Sequence, residues 1–307
     1  MARVVLITTG RMEETALAAS LRRIFPAHDF HCPPCLAGFT SAALPPVHAP
    51  RLKPLTNLKK FANTLIGHLA AGRRADEPRA DFVIGVDDVE LANAAAPARI
   101  TESLRDALTA DLPNWASSAP DLRAALATRC SFHLMAPMTE AYFFADPEAF
   151  ARATHPGAHH PCCFDADARD VEDFHVEDPR FTEPPVSPRR ERFDWRTANR
   201  ELHPKHYLEY LTDEALVGRG RYDELHHGAP ALSALDWPRV ARHGPAHPTA
   251  RARFARSLLA DLADMLATSP MGIPTTDLEP SLCHHLTRPV PGERRLLRNL
   301  PSAAALA

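Results

Sequence analysis

Residues 82–93 have the sequence FVIGVDDVELAN, and this stretch decides how the fold is interpreted. The apolar, β-branched run from Phe82 to Val86 is typical of a buried strand. The run ends at two adjacent aspartates, Asp87 and Asp88, and Glu90 follows two residues later. Because parallel sheets bind ligands beyond the carboxyl ends of their strands, these acids mark a candidate functional site.

Apolar runs and helical patterns alternate along the first half of the chain. Strands are predicted at residues 3–8, 28–32, 81–86 and 130–136, and helices from Met12 to Pro26, at 55–72, 98–111, 121–126 and 138–144, and from Asp146 onward. Such alternation predicts βαβ units. The predicted fold class is α/β, a Rossmann-like parallel sheet with helices on both faces, followed by an irregular and helical C-terminal part.

The character of the sequence divides the chain into four parts. It contains 30 prolines, nearly twice the usual share of about 5%, so long and stiff loops are expected. The predicted parts are an α/β domain at 1–154, an irregular, mostly exposed, Pro/His-rich segment at 155–200, a helical part packed on the core at 201–286, and a frayed tail at 287–307. In the third part, helices are predicted at 203–211 and 247–267.

Charge and composition narrow the possible partners. The formal net charge of -3 gives no global basic field, so any contact with nucleic acid requires a local basic patch. No apolar run approaches the roughly 20 residues of a membrane span, and no membrane association is expected. We interpret the N-terminal MARVVLITTG as a first strand and not as an export signal. Six cysteines in a chain of 307 residues favour a reduced, cytoplasmic protein.

Several predicted strand ends bring acids or small turns to the same edge of the sheet. The turn Thr8-Thr9-Gly10 follows the first strand, and Glu140 follows the fourth strand after a short loop. Mg²⁺ prefers carboxylate oxygens, so acids gathered from several strand ends would suit it. From the residues alone, a helix cap with solvated acids is an equally open interpretation.

The order of these pieces resembles a Toprim-type domain, the metal-binding fold of topoisomerases, primases and overcoming-lysogenization-defect nucleases. The chain is more specifically similar to a bacterial Toprim-like family whose genes often lie near ATPase genes in defence loci. The pieces that carry the resemblance are VLITTGRMEETAL, VIGVDDVELA, FHLMAPMTEAYFFADPEAF, ELHPKHYLEYL and GRGRYDELHHGAPALSALDW, in the order of the family between about residues 4 and 240.

The resemblance implies Mg²⁺-dependent, nuclease-like cleavage of phosphodiesters, in bacterial defence and with an ATPase partner. Its implied metal ligands are Asp87, Asp88, Glu90 and Glu140, and its implied catalytic residues are Asp87, Asp88, Glu140 and Glu13. Two departures matter: Thr9 replaces the usual glutamate before Gly10, and Glu90 replaces the second aspartate of Asp-x-Asp. Since a hydroxyl cannot act as a carboxylate base, a non-catalytic binding or regulatory protein on the same fold is the alternative.

Basic and aromatic residues near this edge are candidates for nucleic-acid contact. They are Arg11, Lys205, Arg219, Arg221 and Tyr222. The arginines would hold phosphates and the tyrosine ring would stack on a base. A turn with ordinary surface arginines is the alternative interpretation.

The cysteines offer a second, weaker metal hypothesis. Cys32 and Cys35 form a Cys-x-x-Cys pair, and Cys162 and Cys163 follow His159-His160-Pro161, so a zinc site, a redox pair or idle thiols are all compatible with the spacing. The sequence contains neither a Gly-x-Gly-x-x-Gly nor a Walker pattern, and no Gly-x-Ser-x-Gly elbow. Any use of nucleoside triphosphate would therefore come from a partner, and a serine hydrolase is not expected.

Overall fold

A computed structural model describes residues 1–36, 44, 56–70, 80–116, 121–154, 161–183, 199–212, 222–242, 251–292 and 295–302, without the side chains of 56 and 113–116. The strands are β1 Arg3–Thr8, β2 Asp29–His31, β3 Phe82–Asp88, β4 Cys130–Met135, β5 Arg295–Leu297 and β6 Leu300–Pro301. The α-helices are α1 Arg11–Arg22, α2 Thr56–Leu69, α3 Ala98–Ala116, α4 Leu122–Arg129, α5 Pro147–Ala153, α6 Pro179–Thr182, α7 Pro204–Thr212, α8 Ala229–Ala234, α9 Trp237–Ala241 and α10 Arg253–Leu266.

The first four strands form one parallel sheet in the order β2-β1-β3-β4. This confirms the predicted α/β class and the parallel sheet. Strand β3 is longer than predicted, because Asp87 pairs with Leu134 and Asp88 pairs with Met135. The two aspartates are therefore the last residues of a central strand, and the adjoining strand holds them in place.

Alternating side chains of the strands pack on opposite faces of the sheet. Val4 and Leu6 face α1, whereas Val5 and Ile7 face α2 and α3. This period of two is what a strand buried on both faces requires. The prediction of helices on both faces is confirmed.

Gly85 shows why the central strand carries a glycine. A Cβ at this position would lie 2.9 Å from the ring of Phe61 and 3.0 Å from that of Phe132. The two rings meet edge to face, with their centroids 5.7 Å apart. The missing side chain thus lets α2 approach the middle of the sheet closely.

The C-terminal helices complete the core on the α1 face. Trp237 is fully buried, and its indole Nε1–H donates to Ser20 Oγ of α1 at 2.9 Å. Helix α10 packs against β4, where the buried Asp261 lies 3.1 Å from His133 Nε2. The predicted amphipathic helix at 247–267 is shorter, Arg253–Leu266, and the side chains that predicted it are buried.

The prediction of a frayed tail at 287–307 is wrong for the part that the structure describes. Strands β5 and β6 form an antiparallel hairpin, and Leu297 and Leu300 are buried. Asn299 accepts from the backbone N–H of Phe132 at 3.0 Å and donates to its carbonyl at 2.6 Å. The hairpin therefore satisfies backbone groups at the outer edge of β4, which would otherwise lack partners.

Within the predicted segment 155–200, residues 161–183 are irregular and just over half of them are exposed, but three phenylalanines anchor them to the core. Phe164, Phe174 and Phe181 are buried there. They pack against Phe144 and Tyr207 with centroid separations between 4.9 and 6.5 Å, and Phe164 stacks on Phe174 at 4.7 Å. Although this segment is irregular and rich in polar residues, its spaced aromatic residues anchor it to the core.

Other element boundaries differ by a few residues from the predictions. Helix α1 ends at Arg22, before Pro26, and the predicted helix at 138–144 is the 3₁₀ helix Thr139–Ala145. Asp146 caps α5 as predicted, because its side chain accepts from the backbone N–H of Glu148. Among the residues described, no helix has the length and apolar character needed to span a bilayer.

Candidate functional site

A pocket of about 280 Å³ opens at the carboxyl edge of the parallel sheet, and we refer to it as the acidic pocket. Five carboxylates line it, supplied by Glu13, Asp88, Glu90, Glu140 and Glu224. The rest of its lining consists of Thr9, Gly10, Arg11, Met12 and Cys35. The structure therefore brings together most of the acids that the sequence placed at this edge.

Each acid comes from a different local element. Asp88 ends β3, Glu13 lies in the first turn of α1, and Glu140 lies in the 3₁₀ helix Thr139–Ala145. Gly10 is essential to the arrangement, since a Cβ there would stand 2.0 Å from Glu13 Oε2. The glutamate thus folds back over the glycine of the first turn and reaches the pocket.

Thr139 links two of these carboxylates. Its backbone N–H and its hydroxyl both donate to Asp88 Oδ1, at 3.0 and 3.2 Å. A side-chain hydrogen bond also joins Thr139 to Glu13. Asp88 and Glu13 are consequently held close together, even though 75 residues separate them in the sequence.

Asp87 does not line the acidic pocket but adjoins it through Thr9, and it is almost completely buried. Thr9 Oγ1 donates to Asp87 Oδ1 at 2.6 Å, whereas Asp87 Oδ2 is buried and has no hydrogen-bond partner among the described residues. Burial raises the pKa of Asp87 to about 8, although the hydrogen bond from Thr9 opposes the shift. Thr9, which replaces the expected glutamate, is thus a partner of the neighbouring aspartate.

Four acids that line the pocket, Glu13, Asp88, Glu90 and Glu140, also hold protons more strongly than usual. Burial raises the pKa of Glu140 to about 8, and the charge of Glu13 adds to the shift. Burial and the charges of Glu13 and Glu140 raise the pKa of Asp88 well above its usual value. Burial likewise raises the pKa of Glu13 and Glu90. The common and largest cause is burial, which disfavours the charged carboxylate, and neighbouring carboxylates add to it.

Glu90 adopts a backbone conformation that only glycine reaches easily, with φ 62° and ψ 148°. Its N–H donates to the carbonyl of Pro137 at 2.8 Å, so the loop after β4 holds this conformation. Such strain costs on the order of 1–3 kcal/mol and concentrates at functional sites. The strained residue directs a third acid from the end of β3 into the acidic pocket.

Two basic side chains accompany the acids. Arg11 is exposed and lines the pocket, whereas Lys205 forms an ion pair with Glu224. Burial opposes the charge of Lys205, but the carboxylates of Glu140 and Glu224 outweigh it and raise the pKa of Lys205 above its usual value. Lys205 therefore stays charged and partly compensates the acids.

The interpretation of Tyr222 as a ring that stacks on a base is wrong. Its side chain is buried, and its hydroxyl donates to Glu140 Oε1 at 3.3 Å. Gly228 leaves room for this hydroxyl, because a Cβ there would lie 2.4 Å from it. Tyr222 thus positions Glu140, while Arg219 and Arg221 lie outside the described residues.

The oxygen atoms that the site could offer as metal ligands suit a hard divalent cation. All of its charged donors are carboxylates, and one buried oxygen, Asp87 Oδ2, lacks a protein partner in the described structure. Across the described ranges, however, no three acidic, histidine or cysteine side chains already surround a common metal position. The acids line one pocket without converging on one point, so binding would require their side chains to rotate.

The cysteine pairs do not form a common zinc site within the described residues. Cys32 Sγ contacts the carbonyl of Glu13, while Cys162 and Cys163 contact the carbonyls of Phe164 and Pro161. Burial raises the pKa of Cys32 to about 12, which disfavours the thiolate that zinc or redox chemistry needs. His159 and His160 lie outside the described residues.

Sequence reasoning missed two residues of the site. Glu224 lies in a segment that was interpreted as a basic turn. Thr139 directly precedes Glu140, which was predicted as a ligand. The pairing of Lys205 with Glu224 offers no sequence signal, because the two residues are 19 positions apart and belong to different helical segments. Thr139 was detectable in principle, since a hydroxyl beside a conspicuous acid is a natural hydrogen-bond partner.

Comparison with known proteins gives no match to any protein-family model, curated protein or solved structure. What the site does is therefore argued from its own geometry.

Proposed function

We propose that the acidic pocket binds Mg²⁺ and that the protein cleaves phosphodiesters of nucleic acid. The observation that carries the proposal is the crowding of five carboxylates in one pocket beside the buried Asp87. Two unit charges 4 Å apart repel by roughly 4 kcal/mol at the effective dielectric of a protein surface. Among the described residues, Arg11 and Lys205 supply too little positive charge to balance five ionised carboxylates, so a divalent cation is their natural complement.

The acids of the site would divide the work between holding the cation and moving protons. Asp87, Asp88 and Glu90 come from one strand end and would hold the cation, and Glu140 would add a ligand or a base. When bound, Mg²⁺ supplies a Lewis acid that withdraws charge from a phosphoryl oxygen. In the metal-free protein the pKa of Glu140 is about 8, and a pKa near the working pH suits a residue that takes up or releases a proton.

The remaining polar groups would position the substrate. Arg11 is exposed at the pocket and can hold a phosphate through its planar fork of donors. Lys205 lies beside Glu224 and Glu140, where it can stabilise negative charge that develops during cleavage. The Toprim-like resemblance supports nucleic acid as the substrate, and a role in bacterial defence is part of the same proposal.

Cleavage of labelled DNA and RNA, with Mg²⁺ or Mn²⁺ and with EDTA, tests this proposal. Asp88→Asn removes one charge from the pocket while keeping the shape of the side chain, and we expect it to lower the cleavage rate about a hundredfold or more. Glu148→Gln is the matched control, since Glu148 is an exposed acid of α5. Cleavage that persists in EDTA, or that is equal in the two variants, would contradict the proposal.

The second candidate is a non-catalytic binding or regulatory protein that works with an ATPase partner. The hydrogen bond from Thr9 to Asp87 favours it, because a hydroxyl occupies the place where the resembling domains carry a catalytic acid. The same assay distinguishes the two candidates through Thr9→Glu. Cleavage that appears only in this variant would mean that the native site binds without turnover.

A further inference from the structure

A second pocket has a volume of about 200 Å³. One of its lining residues is Ala145, the last residue of the 3₁₀ helix that carries Glu140. Four arginines line this arginine pocket: Arg169, Arg239, Arg242 and Arg251. Arg169 lies in the irregular segment 161–183. Arg239 lies in α9, Arg242 directly follows α9, and Arg251 lies just before α10. The chain thus gathers four guanidinium groups from separate segments at one concave place.

Backbone carbonyls, and not carboxylates, hold two of these guanidinium groups. Arg239 Nε donates to the carbonyl of Ala145 at 2.8 Å. Arg251 donates from Nη1 to the carbonyl of Ala166 at 2.8 Å and from Nη2 to that of Asp167 at 2.7 Å. A carbonyl fixes a guanidinium without cancelling its charge, so these groups are positioned and still positive.

The acids nearby leave the arginine pocket with net positive charge. Within the described residues, Arg169 is the one arginine of the four with an ion pair, to Glu177 at 2.7 Å. Asp170 lines the pocket, but its carboxylate accepts from the N–H groups of Glu172 and Ala252, at 3.1 and 3.0 Å. The second acid of the lining is the exposed Asp167. Since Glu177 offsets Arg169, three guanidinium groups remain against the carboxylates of Asp167 and Asp170, which leaves one net positive charge among these described residues.

A neighbouring pocket of about 250 Å³ shares Ala145, Ala166, Asp167 and Arg239 with the arginine pocket, and the exposed Asp165 also lines it. The rings of Phe144, Phe150 and Phe164 line this second space. Phe150 is half-buried, and its ring centroid lies 5.3 Å from that of Phe144. The arginine pocket thus adjoins a pocket lined by aromatic rings. A ligand that carries a phosphate next to a flat ring could place one group in each.

We propose that these two adjoining pockets bind a nucleoside monophosphate group, with its phosphate among the arginines and its base against the phenylalanines. The group belongs to a free nucleotide or to the 5′-phosphorylated end of a nucleic-acid strand. The proposal needs neither a metal ion nor catalysis in the acidic pocket, so it stands or falls separately from the proposed function.

Calorimetric titration of the whole chain with AMP, in EDTA to keep the acidic pocket free of metal, tests the proposal. We expect a dissociation constant below about 1 mM, weaker binding as salt increases, and no binding of adenosine. Ribose 5-phosphate and inorganic phosphate lack the base, so both should bind at least about tenfold more weakly than AMP. Competition experiments distinguish the two sources of the ligand. If a 5′-phosphorylated oligonucleotide competes with AMP and its 5′-hydroxyl form does not, the ligand is the strand end. If neither competes, the ligand is the free nucleotide.

Variants locate the binding. Arg239→Gln combined with Arg242→Gln should weaken AMP binding at least about tenfold, and Phe150→Leu should weaken AMP binding more than phosphate binding. If the double variant is unstable, the exposed Arg242→Gln alone serves the same purpose. Arg152→Gln is the control, since this exposed arginine of α5 pairs with Glu148 outside the pocket. No binding of AMP, equal binding of ribose 5-phosphate, or equal affinity in the arginine variants would overturn the proposal.

Discussion

Two buried carboxylates, Asp87 and Glu140, have a pKa of about 8 in the folded protein, against usual values of 3.8 and 4.5. The folded chain therefore holds protons that the unfolded chain releases at much lower pH. Stability from these groups is fully present below pH 4 and is lost as the pH rises through 8. In the metal-free protein, this contribution should decline across the whole range between these limits.

We expect the free energy of unfolding in EDTA to fall by about 1.4 kcal/mol or more between pH 5 and 8, which is the equivalent of one pKa unit. Added Mg²⁺ should reverse the loss, because a cation replaces the missing protons. Urea unfolding at a series of pH values measures both effects. Asp87→Asn should flatten the profile, whereas the exposed Glu148→Gln should not. A profile that rises with pH in EDTA would refute the pKa shifts.

At the residue level, the sequence predicted the acids of the site but not their mutual contacts. Asp87 and Asp88 were identifiable because they end an apolar run at the sheet edge where parallel sheets bind ligands, although a helix cap would also have explained them. Glu13 could be placed in the first turn of α1, but its folding back over Gly10 depends on side-chain rotation. Tyr222 was misinterpreted because a tyrosine directly after an Arg-Gly-Arg run looks exposed, while its surroundings in space bury it.

Among the elements, the C-terminal hairpin makes the least expected contribution. Arg298 lies in its turn and donates from Nε to Asp261 Oδ1 at 2.9 Å. Burial opposes the charge of Asp261, but the hydrogen bond to His133 and the charge of Arg298 lower the pKa of Asp261 below its usual value. The hairpin, α10 and β4 thus meet at one buried carboxylate.

Arg298→Ala should destabilise the protein by about 3–5 kcal/mol, the usual cost of leaving one partner of a buried ion pair uncompensated. The midpoint of urea unfolding provides the measurement. Arg288→Ala removes an exposed arginine of the same region and should change stability by less than about 0.5 kcal/mol. Similar midpoints for both variants would show that the hairpin does not stabilise the sheet edge.

Predictions of elements succeeded where apolar periodicity was strong and failed where a few side chains determine the structure. Strands β1, β3 and β4 follow from largely apolar runs, whereas β2 contains Phe30 as its one apolar residue. The segment RLLRNLP was predicted as frayed because its arginines hide the two leucines that are buried. Residues 161–183 likewise lack any period, although Phe164, Phe174 and Phe181 tie them to the core.

In the molecule as a whole, the α1 face of the sheet is completed by residues far along the chain. One hydrophobic cluster joins Leu6 and Ile84 of the sheet to Leu232, Trp237 and Leu258. Sequence patterns predicted that a helical part would lie after residue 200, but a pattern within one segment carries no information about its partner. The extent of this shared core could therefore be seen only in three dimensions.

A fragment of residues 1–154 should not fold cooperatively, because it would expose the cluster around Leu6 and Ile84 to water. We expect weak near-ultraviolet circular dichroism, binding of an apolar dye and no sharp unfolding transition. The full chain, examined in parallel, should show one cooperative transition. A sharp transition in the fragment would establish the first 154 residues as an independent domain and contradict this expectation.

The indole of Trp237 provides an intrinsic fluorescence probe of folding. It is sealed from solvent and donates to Ser20 on α1, so its fluorescence spectrum depends on whether α9 is docked against the N-terminal half. The side chains of Trp115 and Trp195 lie outside the description, so their emission forms a background to be subtracted with a Trp237→Phe protein. Docking of the two halves can thus be followed during refolding without attaching a dye.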